Sequence, residues 1–452
     1  MPLSFPNLRP TLLAMSIAIG LAASASGASA QTATEAELAR KLDQLAAELA
    51  QVKAQLAQMQ KDRAATAPVA AAAPASAPAG TATAATAPAA TTAAAPVAAP
   101  APSSEPATVL TSYGELNYNR PTRASENAQA DMRRFVLGYQ HRFDAKTKVV
   151  TELEVEHGVS SADDPGEVEV EQAYIERQLT STWAARAGLF LIPAGLLNEN
   201  HEPTAYYGVE RNFVETAIIP STWREGGLQF IGNFENGLTA QFGVTTSFDL
   251  NKWDATSTEG RESPLGSIHQ EMALAKARDL AVFGALNWRG VPGLLLGGSL
   301  FTGNATHAQA TTQSRVTLWD LHARWTPGRW DLSGVYSRGT ISNTDVLNAP
   351  LVGNTTLIPK SFDGWYLQGA YKVWSSEDYA LSPFLRWEQY NTARSYADLG
   401  PGLTPDAAPT ERVVTFGANF QITPQIVVKA DYQRFRENKD LNRVNLGLGW
   451  SF

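Results

Sequence analysis

From Tyr113 onward, apolar and polar side chains alternate along the chain in segments of about nine to eleven residues, the period of a strand with one apolar and one polar face. In LQFIGNF, Leu228, Phe230, Gly232 and Phe234 fall on one face and Gln229, Ile231 and Asn233 on the other. In TLWDLHARW the apolar set is Trp319, Leu321, Ala323 and Trp325, and the opposite set includes Asp320, His322 and Arg324. NRVNLGLGWSF repeats the pattern: Val444, Leu446, Leu448, Trp450 and Phe452 oppose Arg443, Asn445, Gly447, Gly449 and Ser451.

Very short turns join these segments in pairs: DAKTK at 144, TST at 180, ENG at 235, RGVPG at 289, TPGR at 326, SSED at 375 and TPQ at 423. Seven turns join fourteen strands, and TSYGELNYNR before them and NRVNLGLGWSF after them bring the count to sixteen. Strands of this length cross a membrane when tilted, and an even number returns both ends to one side. The other connections are of unequal length, the longest running from about Leu191 to Glu225. The pattern predicts an all-β fold, a 16-stranded antiparallel transmembrane β-barrel over residues 108–452. Lipid covers the apolar face, because no helix-rich region exists to form a second layer over it. Closure also pairs every strand edge, which hydrocarbon requires.

Before the barrel the pattern changes twice. LLAMSIAIGLAA follows Arg9 and ends in SASGASA, so residues 1–30 read as a signal peptide cleaved after Ala30. From Thr34, Leu38, Leu42, Leu45, Leu49, Val52, Leu56 and Met59 fall at alternating spacings of four and three. These heptads predict a short coiled-coil helix over 31–63, started by a Thr34–Glu37 capping box, whose apolar seam calls for partner copies. Residues 64–107 are almost wholly Ala, Pro, Thr and Ser and read as a disordered linker.

Composition narrows the class. Charged residues make up only 18% of the chain, and 34 Gly, 11 Trp, 13 Tyr and 17 Phe suit many short strands with aromatic belts. There is no cysteine, which removes thiol catalysis and thiolate metal sites. The net charge of −8 argues against nucleic acid as a partner. No GxSxG, P-loop, dinucleotide fingerprint or paired-His zinc motif occurs, so neither an enzyme, a cofactor nor a metal is expected.

Function in such a barrel lies in the lumen and in any loop folded into it. The 191–225 connection, third of the long loops, carries Glu199, Glu202, Glu210, Arg211, Glu215, Arg224 and Glu225 with Tyr206, Tyr207 and Trp223, both signs of charge at a candidate constriction. On the walls, alternation places Arg134, Arg186, Arg324, Lys372, Arg386, Lys429 and Arg443 inward. The same alternation puts Glu152, Glu154, Glu156, Asp320, Glu388 and Asp431 inside, so a basic track is offset by carboxylates, and pairs such as Arg386 with Glu388 also suit a purely structural role.

NRVNLGLGWSF resembles the C-terminal signature of outer-membrane barrels, in which Trp450 and Phe452 would be read by the barrel assembly machinery. RAGLFLIPAGLL at 186 and YYGVERNFVETAIIPSTWREGG at 206 are similar to motifs of the phosphate-selective porin O and P family. That resemblance implies a homotrimer of sixteen-stranded barrels in the bacterial outer membrane, each an independent pore, with the heptads in the periplasm. It also implies a basic residue near the middle of the first motif, where this chain has Leu191. The expected function is a water-filled channel for small hydrophilic solutes, with anions such as phosphate among them. The alternative is an anchor whose coiled coil reaches toward the cell wall.

Overall fold

The computed structural model describes residues 107–161 and 165–452, together with Ala47. The expected leader, the heptad helix apart from that one residue, and nearly all of the linker lie outside the described residues. In chain order the strands are β1 (Thr108–Pro121), β2 (Gln129–Arg142), β3 (Thr147–Glu156), β4 (Val168–Gln178), β5 (Trp183–Leu191) and β6 (Arg224–Asn233). They continue with β7 (Leu238–Thr246), β8 (Leu280–Trp288), β9 (Leu294–Asn304), β10 (Arg315–Trp325), β11 (Trp330–Ile341) and β12 (Ser361–Tyr371). The last are β13 (Trp374–Ser375), β14 (Ala380–Ser395), β15 (Glu411–Thr423), β16 (Ile426–Phe435) and β17 (Arg443–Ser451).

β13 is a two-residue appendage paired only with the start of β14, and β12 pairs directly with β14. The other sixteen strands each pair antiparallel with their neighbours in sequence, and β17 returns to β1 with Tyr113 opposite Ser451 and Arg120 opposite Val444. The wall is therefore closed. Backbone bonds between Ser112 and Phe452, 3.0 and 2.9 Å, complete the seam. Every expected short turn lies where the alternation breaks, and all of them stand on the rim where β1 begins and β17 ends.

The two faces separate as the period of two requires. Leu321 is 61% exposed and its neighbour His322 5%; Leu228 is 44% exposed and Gln229 0%. The outward set is a continuous apolar belt with aromatic contacts at the short-turn rim, such as Trp330 with Tyr371 at 4.7 Å, the surface that hydrocarbon covers without cost.

Three features depart from the pattern. The connection 247–279 is as long as the one at 192–223. The lumen is not polar throughout: Phe283, Phe301, Val316, Leu318, Ile341 and Phe362, on β8–β12, pack inward against both ends of the 192–223 loop and against Phe248, Leu250, Leu265 and Ile268. There both faces of the strands are apolar, so the core inside the barrel leaves no mark on the alternation. Lys372, placed on the lumen wall by extending the alternation, lies beyond the end of β12 and is exposed at the short-turn rim, because β12 stops at Tyr371.

Candidate functional site

The 192–223 loop folds into the barrel, and two kinds of contact hold it. Its ends are dry. Ile192, Ala194, Ile218, Ile219 and Trp223 belong to the luminal apolar core, with the Trp223 ring 5.1 Å from Phe248 and 4.6 Å from Phe301. Asn198 ties the ends together, donating to the carbonyls of Ile192 and Trp223 at 2.7 and 2.8 Å and accepting from Trp223 N at 2.7 Å. Gly195 takes φ +66° where the chain turns beside Glu215, and its N–H donates to Asp320 at 3.1 Å.

The middle of the loop, residues 198–213, lies as a tongue against β14–β17 and β1, held by polar bonds and by ring contacts of Phe213 with Tyr390 and Phe435 at 5.2 and 5.3 Å. Gly208 N donates to Asn419 Oδ1 and Asn419 Nδ2 to Tyr206 O, at 3.3 and 3.0 Å. Val209 N reaches Asp431 at 2.6 Å, and Phe213 N reaches Glu388 at 2.6 Å. Arg386 donates to the carbonyls of Tyr207 and Glu210 while its Nε pairs with Glu388 at 3.0 Å. Tyr206 is pinned twice: its hydroxyl donates to Glu115 at 2.8 Å, and the Lys429 ammonium sits 3.5 Å from its ring centroid. Glu210 accepts from Asn119 at 2.8 Å.

The wall cations expected to form a track point inward, Lys372 apart, but are spent on partners. Arg134 bonds Glu115 at 2.9 Å and Glu154 at 3.2 Å; Arg186 bonds Glu176 at 2.7 Å; Arg324 chelates Asp331 at 3.0 and 2.7 Å. Arg443 donates to Gln433 at 2.6 Å. Arg224 pairs with Glu169 and, at 2.9 Å, with Glu271, while Glu225 accepts from Thr246 and Trp223. Arg211 differs. Buried, it donates to the hydroxyls of Ser221 and Thr222 at 2.9 and 2.8 Å and to His201 O, with no carboxylate within ion-pair distance among the described residues. Glu202 is half-buried on the same tongue.

Several loop groups titrate away from their ordinary values, Glu215 and His201 among them. Glu215 accepts from Leu196 N, Leu197 N, Asn212 and Tyr366, yet burial outweighs those donors and raises its pKa. His201, which the sequence did not mark, is buried with Nδ1 on Asn198 O at 2.9 Å and Nε2 on Glu171 at 2.6 Å. Burial disfavours its cation, but the Glu171 carboxylate prevails and raises the pKa. Tyr113 completes the cluster, 2.7 Å from both.

Two cavities flank this arrangement. One of about 390 Å³ lies toward the short-turn rim, lined by Asn200, Tyr206, Tyr207, Asn212, Arg289 and Arg324 among others. Another of about 330 Å³ lies toward the long loops, lined by Arg134, Glu154, Glu169, Thr222, Arg224 and Glu271 among others.

No family model matches the chain. An uncharacterized protein of Aquifex aeolicus (strain VF5) is 28% identical over 352 residues, which span 75% of this chain and 79% of that protein. Among solved structures, OmpF of Salmonella typhi in complex with daunomycin is similar at a TM-score of 0.53 and 13% identity, covering 76% of this chain and 97% of that one. An anion-selective porin from Comamonas acidovorans gives a TM-score of 0.48 at 12% identity, over 76% of this chain and 100% of its own. The likeness to OmpF agrees with the barrel architecture and bears on the fold alone.

Proposed function

We propose that this protein is an outer-membrane porin: a barrel that admits small hydrophilic solutes by diffusion past a constriction at the 192–223 loop. The observation that carries this reading is a closed barrel, apolar outside and charged inside, with a long polar loop folded into the lumen rather than over it. The constriction residues are Tyr206, Tyr207, Glu210, Arg211 and Glu215, with Glu202 on the same tongue. Arg134, Arg224 and Glu225 approach from the long-loop side, and Arg324, Arg386 and Lys429 from the short-turn side.

The motifs at 186 and 206 support placing the chain near the phosphate-selective porins. The compensated charges support only a weak anion preference, because each wall Arg shares its field with a carboxylate or an amide. The heptads support a homotrimer with a periplasmic coiled coil, and Trp450 and Phe452 support recognition by the barrel assembly machinery. Planar-bilayer recordings of the purified protein test the reading: discrete conductance steps are expected, and a barrel that never conducts would favour the anchor.

A further inference from the structure

The outer face of β15 and β16 is apolar from the short-turn rim upward and then changes abruptly. On β15 it runs through Phe420, Ala418, Phe416 and Val414 to Arg412, and on β16 through Val428, Ala430 and Tyr432 to Arg434. Val414 stands opposite Arg434, and Arg436 N donates to the carbonyl of Arg412 at 3.0 Å, so both strands turn basic at one height. From Ile426 to Arg434 the chain advances eight residues. At about 3.4 Å each and a tilt of about 40° they rise roughly 20 Å, most of an apolar band of ~25 Å. The cations therefore stand where hydrocarbon ends on the long-loop side.

The connection after β16 adds Arg436 and Lys439 to this face, and Glu411 shapes it. The buried Glu411 carboxylate, on the opposite face of β15, accepts from the N–H groups of Arg412, Arg436, Glu437 and Asn438 at 2.9 to 3.0 Å. Those four bonds fold the connection back over the strand ends. With Trp387 and Val414 the four cations line a recess of about 630 Å³ on the outer face. Little offsets their charge. Glu437 approaches Arg436 at 3.9 Å, and Asp440 is paired with Arg123 at 3.2 Å.

We propose that this recess binds a phosphorylated lipid of the long-loop leaflet, with its phosphate on the four cations and an acyl chain along Trp387, Val414 and Phe416. Trp387 lies opposite Val414 in the β14–β15 register, which makes the apolar path continuous with the basic end. Cations on a barrel's lipid face are costly in hydrocarbon and favourable beside anionic headgroups. Guanidinium groups also take a phosphate through two parallel N–H donors. A phosphodiester lipid brings a single negative charge, whereas a phosphate monoester carries about −1.5 to −2. Four cations gathered in one recess match the monoester, so the occupant has the chemistry of lipid A, an acylated disaccharide bearing phosphate monoesters. The inference rests on the outer-membrane barrel and not on conduction.

The delipidated full chain in detergent, titrated with lipid A and followed by native mass spectrometry, gives the affinity. Arg412→Gln/Arg434→Gln should weaken binding at least tenfold. Arg315→Gln/Lys360→Gln, the same charge change at exposed positions elsewhere on the long-loop rim, should weaken it less than twofold. Equal effects of the two pairs, large or absent, overturn the proposal.

The unsubstituted protein gives a second reading that no folding defect can blur. Dephosphorylated lipid A and phosphatidylglycerol should each bind at least tenfold more weakly than intact lipid A, and equal binding of either overturns the assignment. If the Arg412/Arg434 variant dissociates oligomers while its lipid affinity stays unchanged, the surface is an interface between copies and the proposal falls. A protein that binds lipid A through this recess yet passes no current would remove the porin reading alone.

Discussion

His201 Nε2 lies 2.6 Å from Glu171 Oε1 inside the barrel, and His201 Nδ1 lies 2.9 Å from the carbonyl of Asn198. Both partners are pure acceptors, so both ring nitrogens are best served by carrying protons. The contact joins the loop to β4 and, through Tyr113, to β1.

That geometry fixes a pH dependence. The folded pKa of His201 is raised: burial opposes the cation and Arg211 adds to the opposition, but Glu171 outweighs them. A raised histidine contributes stability that is complete below its ordinary value of about 6.5 and is lost as pH climbs through the raised one. Urea unfolding between pH 6 and 10 should therefore show the barrel weakening on the alkaline side. His201→Gln should flatten that slope and lower stability at pH 6 by about 3 kcal/mol, because Glu171 is left buried and unpaired. A wild-type profile level from pH 6 to 10 would contradict the assignment.

Arg386 and Glu388 are a second structural pair, one closing on the carbonyls of Tyr207 and Glu210 and the other on Phe213 N. Arg386→Met strands a carboxylate that is 0% exposed, so it should cost about 3–5 kcal/mol. Glu388→Gln keeps an acceptor for Phe213 N and should cost less than half as much. The comparison is read from unfolding midpoints, and equal losses would mean that the loop does not depend on this pair.

Phe452 closes the barrel through its backbone, while its side chain stands 71% exposed on the outer face. Phe452→Ala removes little that the finished fold uses. The assembled variant should melt within a few degrees of the parent on heated gels, and if Trp450 and Phe452 are read during assembly, the amount reaching the membrane should fall severalfold. A barrel assembled in normal amount but melting far lower would reverse that division of roles.

The wall was legible because its rules are local. Turns such as TPGR and ENG break a period of two wherever the chain reverses, and Leu321 beside His322 records which face meets lipid. The inside was less legible. Ala281, Phe283 and Ala285 alternate with Val282 and Leu286, so β8 carries apolar residues on both faces and gives no sign that its inner face packs on other loops. Lys372 was misplaced because alternation cannot say where a strand stops. His201 was passed over because its partners, Glu171 and Tyr113, lie 30 and 88 positions away and no local motif joins them. The wall charges, Lys372 apart, lie on the inward face, but their neutralisation is a tertiary fact: Arg134 meets Glu115 and Glu154 only once β1, β2 and β3 are side by side.

That distinction sharpens the expectation for ion selectivity. Arg211 and Arg224 belong to one sequence motif, yet Arg224 shares its guanidinium with Glu169 and Glu271, whereas Arg211 is held by two hydroxyls and a carbonyl. A fixed charge steers an ion in a narrow passage by its net field, and a carboxylate within hydrogen-bond distance cancels most of that field a few ångströms away. Arg211→Glu alone should therefore move the reversal potential in a salt gradient toward cations more than Arg224→Glu does. Both together should exceed the shift from reversing Arg394 and Lys360, which lie exposed near the long-loop rim. The shifts should shrink as salt is raised, since the Debye length falls from about 10 Å at 0.1 M to about 3 Å at 1 M. If Arg224→Glu had the larger effect, the narrowest point would lie at the outer cavity rather than at the tongue. Equal shifts from the inner and rim pairs would remove the 192–223 loop from the constriction altogether.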